Sequence, residues 1–276
     1  MKNDLRTIFA RTLLCLALLT IGWQLPAQPP PPVQPAAGAQ PGAGAQPAAG
    51  AQPAAGTQAG AQPGAGVQAG VQPGGTPQPP FWNEIAEFKR RDSIQRPPAN
   101  AILFVGSSSF RRWTNVQEYF PGYTIINRGF GGSTLDDVIR YAPAIIYPYH
   151  PRQVVVYCGD NDLAFGKKAT GKKVYKKFVR LYDMIRKRLG NDVDIVFVSI
   201  KPSPGREALM PEMEQANDLI RNFIAQRAHA AFVDVYHLML TPDGRPIDNL
   251  FEGNKLQMNE KGYKIWQQAI LPYLDK

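Results

Sequence analysis

The sequence predicts a three-layer α/β/α sandwich on a mainly parallel five-stranded sheet, from three observations. Five short runs, 101–105, 123–127, 153–157, 193–200 and 231–235, are rich in Val, Ile and Phe. The clearest of them are continuously apolar instead of alternating, which suits strands covered on both faces. Stretches with apolar residues at helical spacing separate them, and alternating strands and helices specify right-handed crossovers onto both faces of a parallel sheet. Polar, glycine-containing turns follow the first three runs, on the edge where open sheets of this kind hold their ligands.

In chain order, a leader comes first. Lys2, Arg6 and Arg11 precede an apolar run, Leu13 to Ile21, and Leu25-Pro-Ala27 follows. Basic, apolar, then small is the order of a cleaved secretory signal, and the apolar core is shorter than the about 20 residues of a membrane-spanning helix. Cys15 lies inside that core behind Leu14, which favours cleavage near Ala27 over lipidation. Residues 1–27 therefore predict export to a periplasm or beyond. Residues 28–80 hold no charged side chain and repeat units such as Ala45-Gln-Pro-Ala-Ala-Gly50. Too few side chains can bury surface to offset the entropy of ordering, so a disordered tether is expected. At the polyproline rise of about 3.1 Å per residue it reaches at most about 160 Å.

Residues 81–276 are one domain's worth of chain. A short helix is expected over 81–91, ended by Pro97-Pro98. The first strand, expected at the sheet's centre, runs into Gly106-Ser-Ser-Ser109, and a helical stretch from Phe110 ends near Pro121-Gly122. After the second strand, Ser133 or Thr134 is placed to cap a helix containing Leu135, Val138 and Ile139. After the third come Gly159-Asp-Asn-Asp162, taken as a turn, and a helix over 172–189. Further helices are expected over 207–228 and 260–274. Cys158, the one cysteine left after the leader, is expected to act as a small buried hydrophobe.

The three turns juxtapose a serine, a glycine N–H and an asparagine amide, the parts of a nucleophile facing an oxyanion site. On local sequence alone a plain helix-starting turn is the better reading of the serines. At these residues the domain resembles the SGNH or GDSL-type serine esterases, collinearly over nearly all of 81–276, and that resemblance implies a flavodoxin-like sheet. Gly106-Ser-Ser is similar to the family's first block and implies Ser108 as nucleophile. Asn127-Arg-Gly-Phe-Gly-Gly-Ser-Thr134 is similar to the second, with the oxyanion glycine at Gly132 and Gly131 one register away. Gly159-Asp-Asn-Asp162 is similar to the third and implies Asn161 as the other oxyanion donor.

The last block departs from the family. Its Asp-x-x-His falls on Asn254-Lys-Leu-Gln257, with Asn259 and Gly262-Tyr263 fixing the register. Gln257 has no titratable nitrogen to take a proton from Ser108, and Asn254 has no charge to support an imidazolium. Three histidines exist: His150 and His229 precede strands, on the far edge, and His237 follows the fifth strand, making it the one substitute base to consider. The resemblance therefore implies an ester hydrolase by descent, retaining an oxyanion site that takes a small ester, acylated or carbohydrate ligand. An active esterase using His237 is the alternative. No cofactor fingerprint and no His/Asp/Glu spacing for a metal occurs.

Ten basic residues and one acid, Asp183, lie between Lys167 and Arg188. Lys172, Lys173, Lys176, Lys177 and Arg180 are expected on one helical face, which reads first as a solvated lysine-rich face and second as a field suited to an anionic surface. Export and the lack of aromatic stacking platforms argue against nucleic acid. The sequence sets no oligomeric state.

Overall fold

A computed structural model describes residues 78–166 and 168–276; the leader and nearly all of the tether lie outside the described residues. Helix α1 (Trp82–Ile94) leads to β1 (Ile102–Gly106), the short helices α2 (Ser108–Arg112) and α3 (Val116–Tyr119), then β2 (Ile125–Gly129). Helix α4 (Leu135–Ile145), β3 (Gln153–Tyr157), α5 (Asp160–Phe165) and α6 (Gly171–Leu189) follow. The chain closes with β4 (Asp194–Val198), α7 (Met210–Ile224), β5 (Ala230–Val233) and α8 (Glu260–Ile270). The five strands form one all-parallel sheet in the order β2-β1-β3-β4-β5. The expected sandwich is present, but β3 occupies the centre of the sheet, one place from β1.

Strand side chains alternate between two cores. Leu103, Val105, Val154, Val156, Ile195 and Phe197 pack under α1, α4, α6 and α7. Ile102, Phe104, Val155, Tyr157, Val196 and Val198 face the other way, under α2, α3 and α8. Complete burial of β1 and β3 explains their unbroken apolar sequences. The second core is aromatic: the buried Trp266 indole lies 4.7 Å from the Tyr157 ring and 5.9 Å from Phe110. Those contacts lay α8 across the start of α2, carrying the loop before α8 to the end of β1.

Several elements differ from expectation, each for a local reason. Helix α2 begins at Ser108, and the chain breaks at Trp113 before α3. Residues 160–165, expected as a turn, form α5. The helix expected from Glu207 begins at Met210; before it, Pro204–Leu209 is a 3₁₀ segment in which Arg206 leaves helical geometry at φ −134°. Thr134, not Ser133, caps α4, exchanging bonds with Asp137 in a capping box, while Ser133 Oγ donates to Gly106 O at 3.1 Å.

Candidate functional site

The ends of β1, β2 and β3 bring the three polar turns together. Gly106 has φ +139°, and a Cβ there would stand 1.8 Å from Tyr157 O. Only glycine lets the chain turn off β1 this close to β3. Of the three serines that follow, Ser107 and Ser109 are buried and Ser108 is half-buried. Ser109 O also accepts a bond from the Tyr263 hydroxyl at 2.9 Å. Ser108 is therefore the serine of the run with a route to ligand, a distinction local sequence does not make.

The glycine register separates in the same way. Gly131 N–H donates to Glu84 Oε2 at 3.1 Å, and a Cβ on Gly131 would strike the Phe81 ring at 2.2 Å. Its donor is occupied by α1. Gly132 is exposed, and its N–H has no hydrogen-bond partner among the described residues. Asn161 Nδ2 lies 3.8 Å from where a Gly132 Cβ would sit, so the two donors are neighbours.

Asn161 is the second residue of α5 and is 3 % exposed. Its Nδ2 donates to Ser133 O at 3.1 Å and its Oδ1 accepts from Arg206 Nη2 at 2.9 Å. The guanidinium thereby fixes which way the amide faces, leaving one Nδ2 hydrogen for an incoming oxygen. Arg206 Nη1 also holds Asp160 Oδ2 at 3.0 Å, and Lys201 Nζ lies 3.8 Å from the same oxygen. Lys201 is 2 % exposed, and burial lowers its pKa. Asp162 is buried too, accepting from Leu135 N at 2.9 Å and Lys177 Nζ at 2.8 Å. The two aspartates of this turn are braces for the amide between them. Cys158 is fully buried, and burial holds its thiol well above its usual range, so it supplies no thiolate.

Arg206 and Lys201 escape sequence reasoning. Arg206 reaches Asn161 across 45 positions of chain, and its one local sign is that Pro202 and Pro204 spoil a helix there. The basic face is also narrower than expected. Lys177 turns inward to Asp136 at 2.7 Å and Asp162 at 2.8 Å, which removes it from the exposed stripe.

The loop before α8 is held by the side chains of Asn254 and Asn259. Asn254 Oδ1 accepts from Leu256 N and Gln257 N, both at 3.0 Å, and Phe251 bridges Met258. Asn259 caps α8 by accepting from Lys261 N at 2.9 Å and Gly262 N at 3.3 Å. Gln257 is half-buried, and its side-chain amide makes no hydrogen bond among the described residues. No group in this loop takes up a proton near neutral pH in the way imidazole does.

The histidines stand elsewhere. His150 precedes β3, and His229 precedes β5, where it contacts Asp194. His237 pairs with Asp234 at 2.8 Å, a base beside a carboxylate, but its side chain is 63 % exposed. It follows β5, which stands three strands away from β1 in the sheet. Among the described residues, no group of three or more His, Cys, Asp or Glu is placed to hold a metal ion.

Comparison with known proteins identifies the family and the fold. The model of the GDSL-like lipase/acylhydrolase family matches residues 98–265, more than half of the chain. No match is found among curated proteins. Among solved structures, one described as a platelet activating factor from Streptococcus pneumonia superposes with a TM-score of 0.60 at 20 % identity, covering 70 % of this chain and 92 % of its own. One described as an acylhydrolase from Bacteroides fragilis gives 0.60 at 17 % identity, covering 70 % and 96 %. A GDSL-like lipase from Bacteroides thetaiotaomicron gives 0.57 at 16 %, covering 68 % and 96 %. At these identities the structures speak for the fold alone.

Proposed function

We propose that this chain, which belongs to the GDSL-like lipase/acylhydrolase family, is an exported pseudo-esterase: it binds an acylated or carbohydrate ester at its oxyanion donors, with hydrolysis lost or strongly impaired. One observation carries the reading. Asn254 and Gln257 stand in the loop before α8 where the family resemblance calls for the acid and the base, and neither titrates. Ser108 then keeps its proton, because the attack on an ester needs a base to receive it. The acid-to-amide change alone costs about 10⁴ in kcat in serine proteases, and loss of the base costs more. The donors on Gly132 and Asn161 depend on neither residue, so recognition of a carbonyl oxygen survives the loss of chemistry. The basic, apolar, small order of residues 1–27 supports export.

The competing reading is an active esterase with His237 as base. The His237–Asp234 pair has suitable chemistry, but its side-chain exposure and its place after β5, three strands from β1, argue against it. Hydrolysis of p-nitrophenyl acetate separates the two. The unaltered chain and its Ser108→Ala variant should turn over the ester at indistinguishable rates. A rate that falls with Ser108→Ala contradicts the pseudo-esterase, and one that falls equally with His237→Ala identifies the substitute base.

A further inference from the structure

The oxyanion side of the sheet carries a second feature that ester recognition does not use. Helix α5 begins beside the site, where Asn161 is its second residue, and ends at Phe165, whose surface is 64 % exposed. One side of the Phe165 ring lies 5.7 Å from the Arg206 guanidinium; the rest meets solvent. The next turn is tied to α6, because Lys173 Nζ donates to Lys168 O at 2.8 Å. Helix α6 then starts at the ligand edge of the sheet and runs back toward the beginning of β4, so Lys172, Lys173 and Lys176 on its first turns are exposed close to Phe165.

The surrounding acids offset this charge only in part, since Asp136 and Asp162 share the one charge of Lys177 and Glu212 meets a backbone N–H. Glu212 Oε2 accepts the Gly171 N–H at 2.6 Å, and Glu207 pairs with Arg245. Among the described residues, Lys172, Lys173 and Lys176 form no ion pair. The one acid of α6, Asp183, follows about two turns beyond Lys176.

We propose that this edge docks on an anionic phospholipid surface, Phe165 entering the interface while Lys172, Lys173 and Lys176 lie over the headgroups. Charge complementarity supplies the attraction, and each basic side chain near such a surface is worth roughly fivefold in affinity. The exposed aromatic ring favours a bilayer, whose headgroup boundary it enters with its apolar face buried. The lysines sit on a convex helix and not in a groove, which fits a fluid layer of headgroups better than one bound glycan chain. Docking in this orientation turns the mouth beside Asn161 toward the membrane. The inference stands independently of whether Ser108 attacks esters.

Co-sedimentation of the full chain with vesicles tests it. The vesicles are phosphatidylcholine mixed with phosphatidylglycerol, or phosphatidylcholine alone; the leader is common to every variant, so differences report the patch. A Lys172→Glu/Lys173→Glu/Lys176→Glu variant should bind the anionic vesicles on the order of 100-fold more weakly. Phe165→Ser should lose about tenfold, a loss that persists in added salt. Far-UV circular dichroism verifies that each variant is folded. Unchanged binding to anionic vesicles in the triple variant overturns the proposal. So do equal affinities for the two vesicle types, or a loss confined to a soluble acidic polysaccharide such as heparin.

Discussion

An Asn254→Asp/Gln257→His variant should hydrolyse p-nitrophenyl acetate at least about 10³-fold faster than the unaltered chain, and the gain should vanish on adding Ser108→Ala. The loop is shaped to accept both changes. Asn254 Oδ1 already takes the N–H groups of Leu256 and Gln257 at 3.0 Å; a carboxylate accepts the same bonds and leaves its second oxygen for an imidazole. Histidine is smaller than glutamine in reach, and position 257 is half-buried, so the substitution introduces no overpacking. The single changes should recover far less than the pair, because base and orienting acid act as a unit. Steady-state rates of the five proteins give the answer. A double variant that folds, binds ester and stays inactive removes the assigned register of the last block.

The second large effect concerns stability. Asp160→Ala should destabilise the domain by about 3–5 kcal/mol, the usual result of taking one partner from a buried ion cluster. Asp160 Oδ2 is the counter-charge for Arg206 at 3.0 Å and Lys201 at 3.8 Å, and side-chain exposures in this cluster are 6 %, 13 % and 3 % respectively. Without Asp160, Lys201 stands buried beside a second cation. A shift of about 2–4 °C in Tm per kcal/mol makes the loss easy to read by thermal denaturation. The pH dependence has a definite sign. Burial lowers the Lys201 pKa, so between its folded value and the ordinary value of about 10.4 the unfolded chain binds the extra proton. Stability in that window rises with pH, more steeply in Asp160→Ala than in the unaltered domain. A Lys201→Met change on top of Asp160→Ala should recover part of the loss and flatten the slope.

Much of this was legible in the chain, where local physics dominates. Strand β3 is found at 153–157 as expected, because a strand covered on both faces has an unmistakable apolar run. Helix α5 was hidden because Asp160, Asn161 and Asp162 are residues of turns; tertiary bonds from Leu135, Lys177 and Arg206 hold them in a helix of 6 residues. The start of α7 was misplaced because the pull of Asp160 and Asn161 on Arg206 draws the preceding segment out of helical geometry. Lys177 looked like a member of an exposed stripe, since nothing in its own helix announces the two aspartates that turn it inward. Ser108 was singled out by the family resemblance, and packing agrees: Ser107 and Ser109 are buried and Ser108 is half-buried.

On the proposed reading, Ser108 sits beside oxyanion donors without a base to activate it. A fluorophosphonate reacts with an activated serine and leaves a phosphonyl adduct that intact-mass spectrometry detects. The account predicts no adduct on the unaltered chain and one adduct, at Ser108, on Asn254→Asp/Gln257→His. Stoichiometric labelling of Ser108 in the unaltered chain would contradict it.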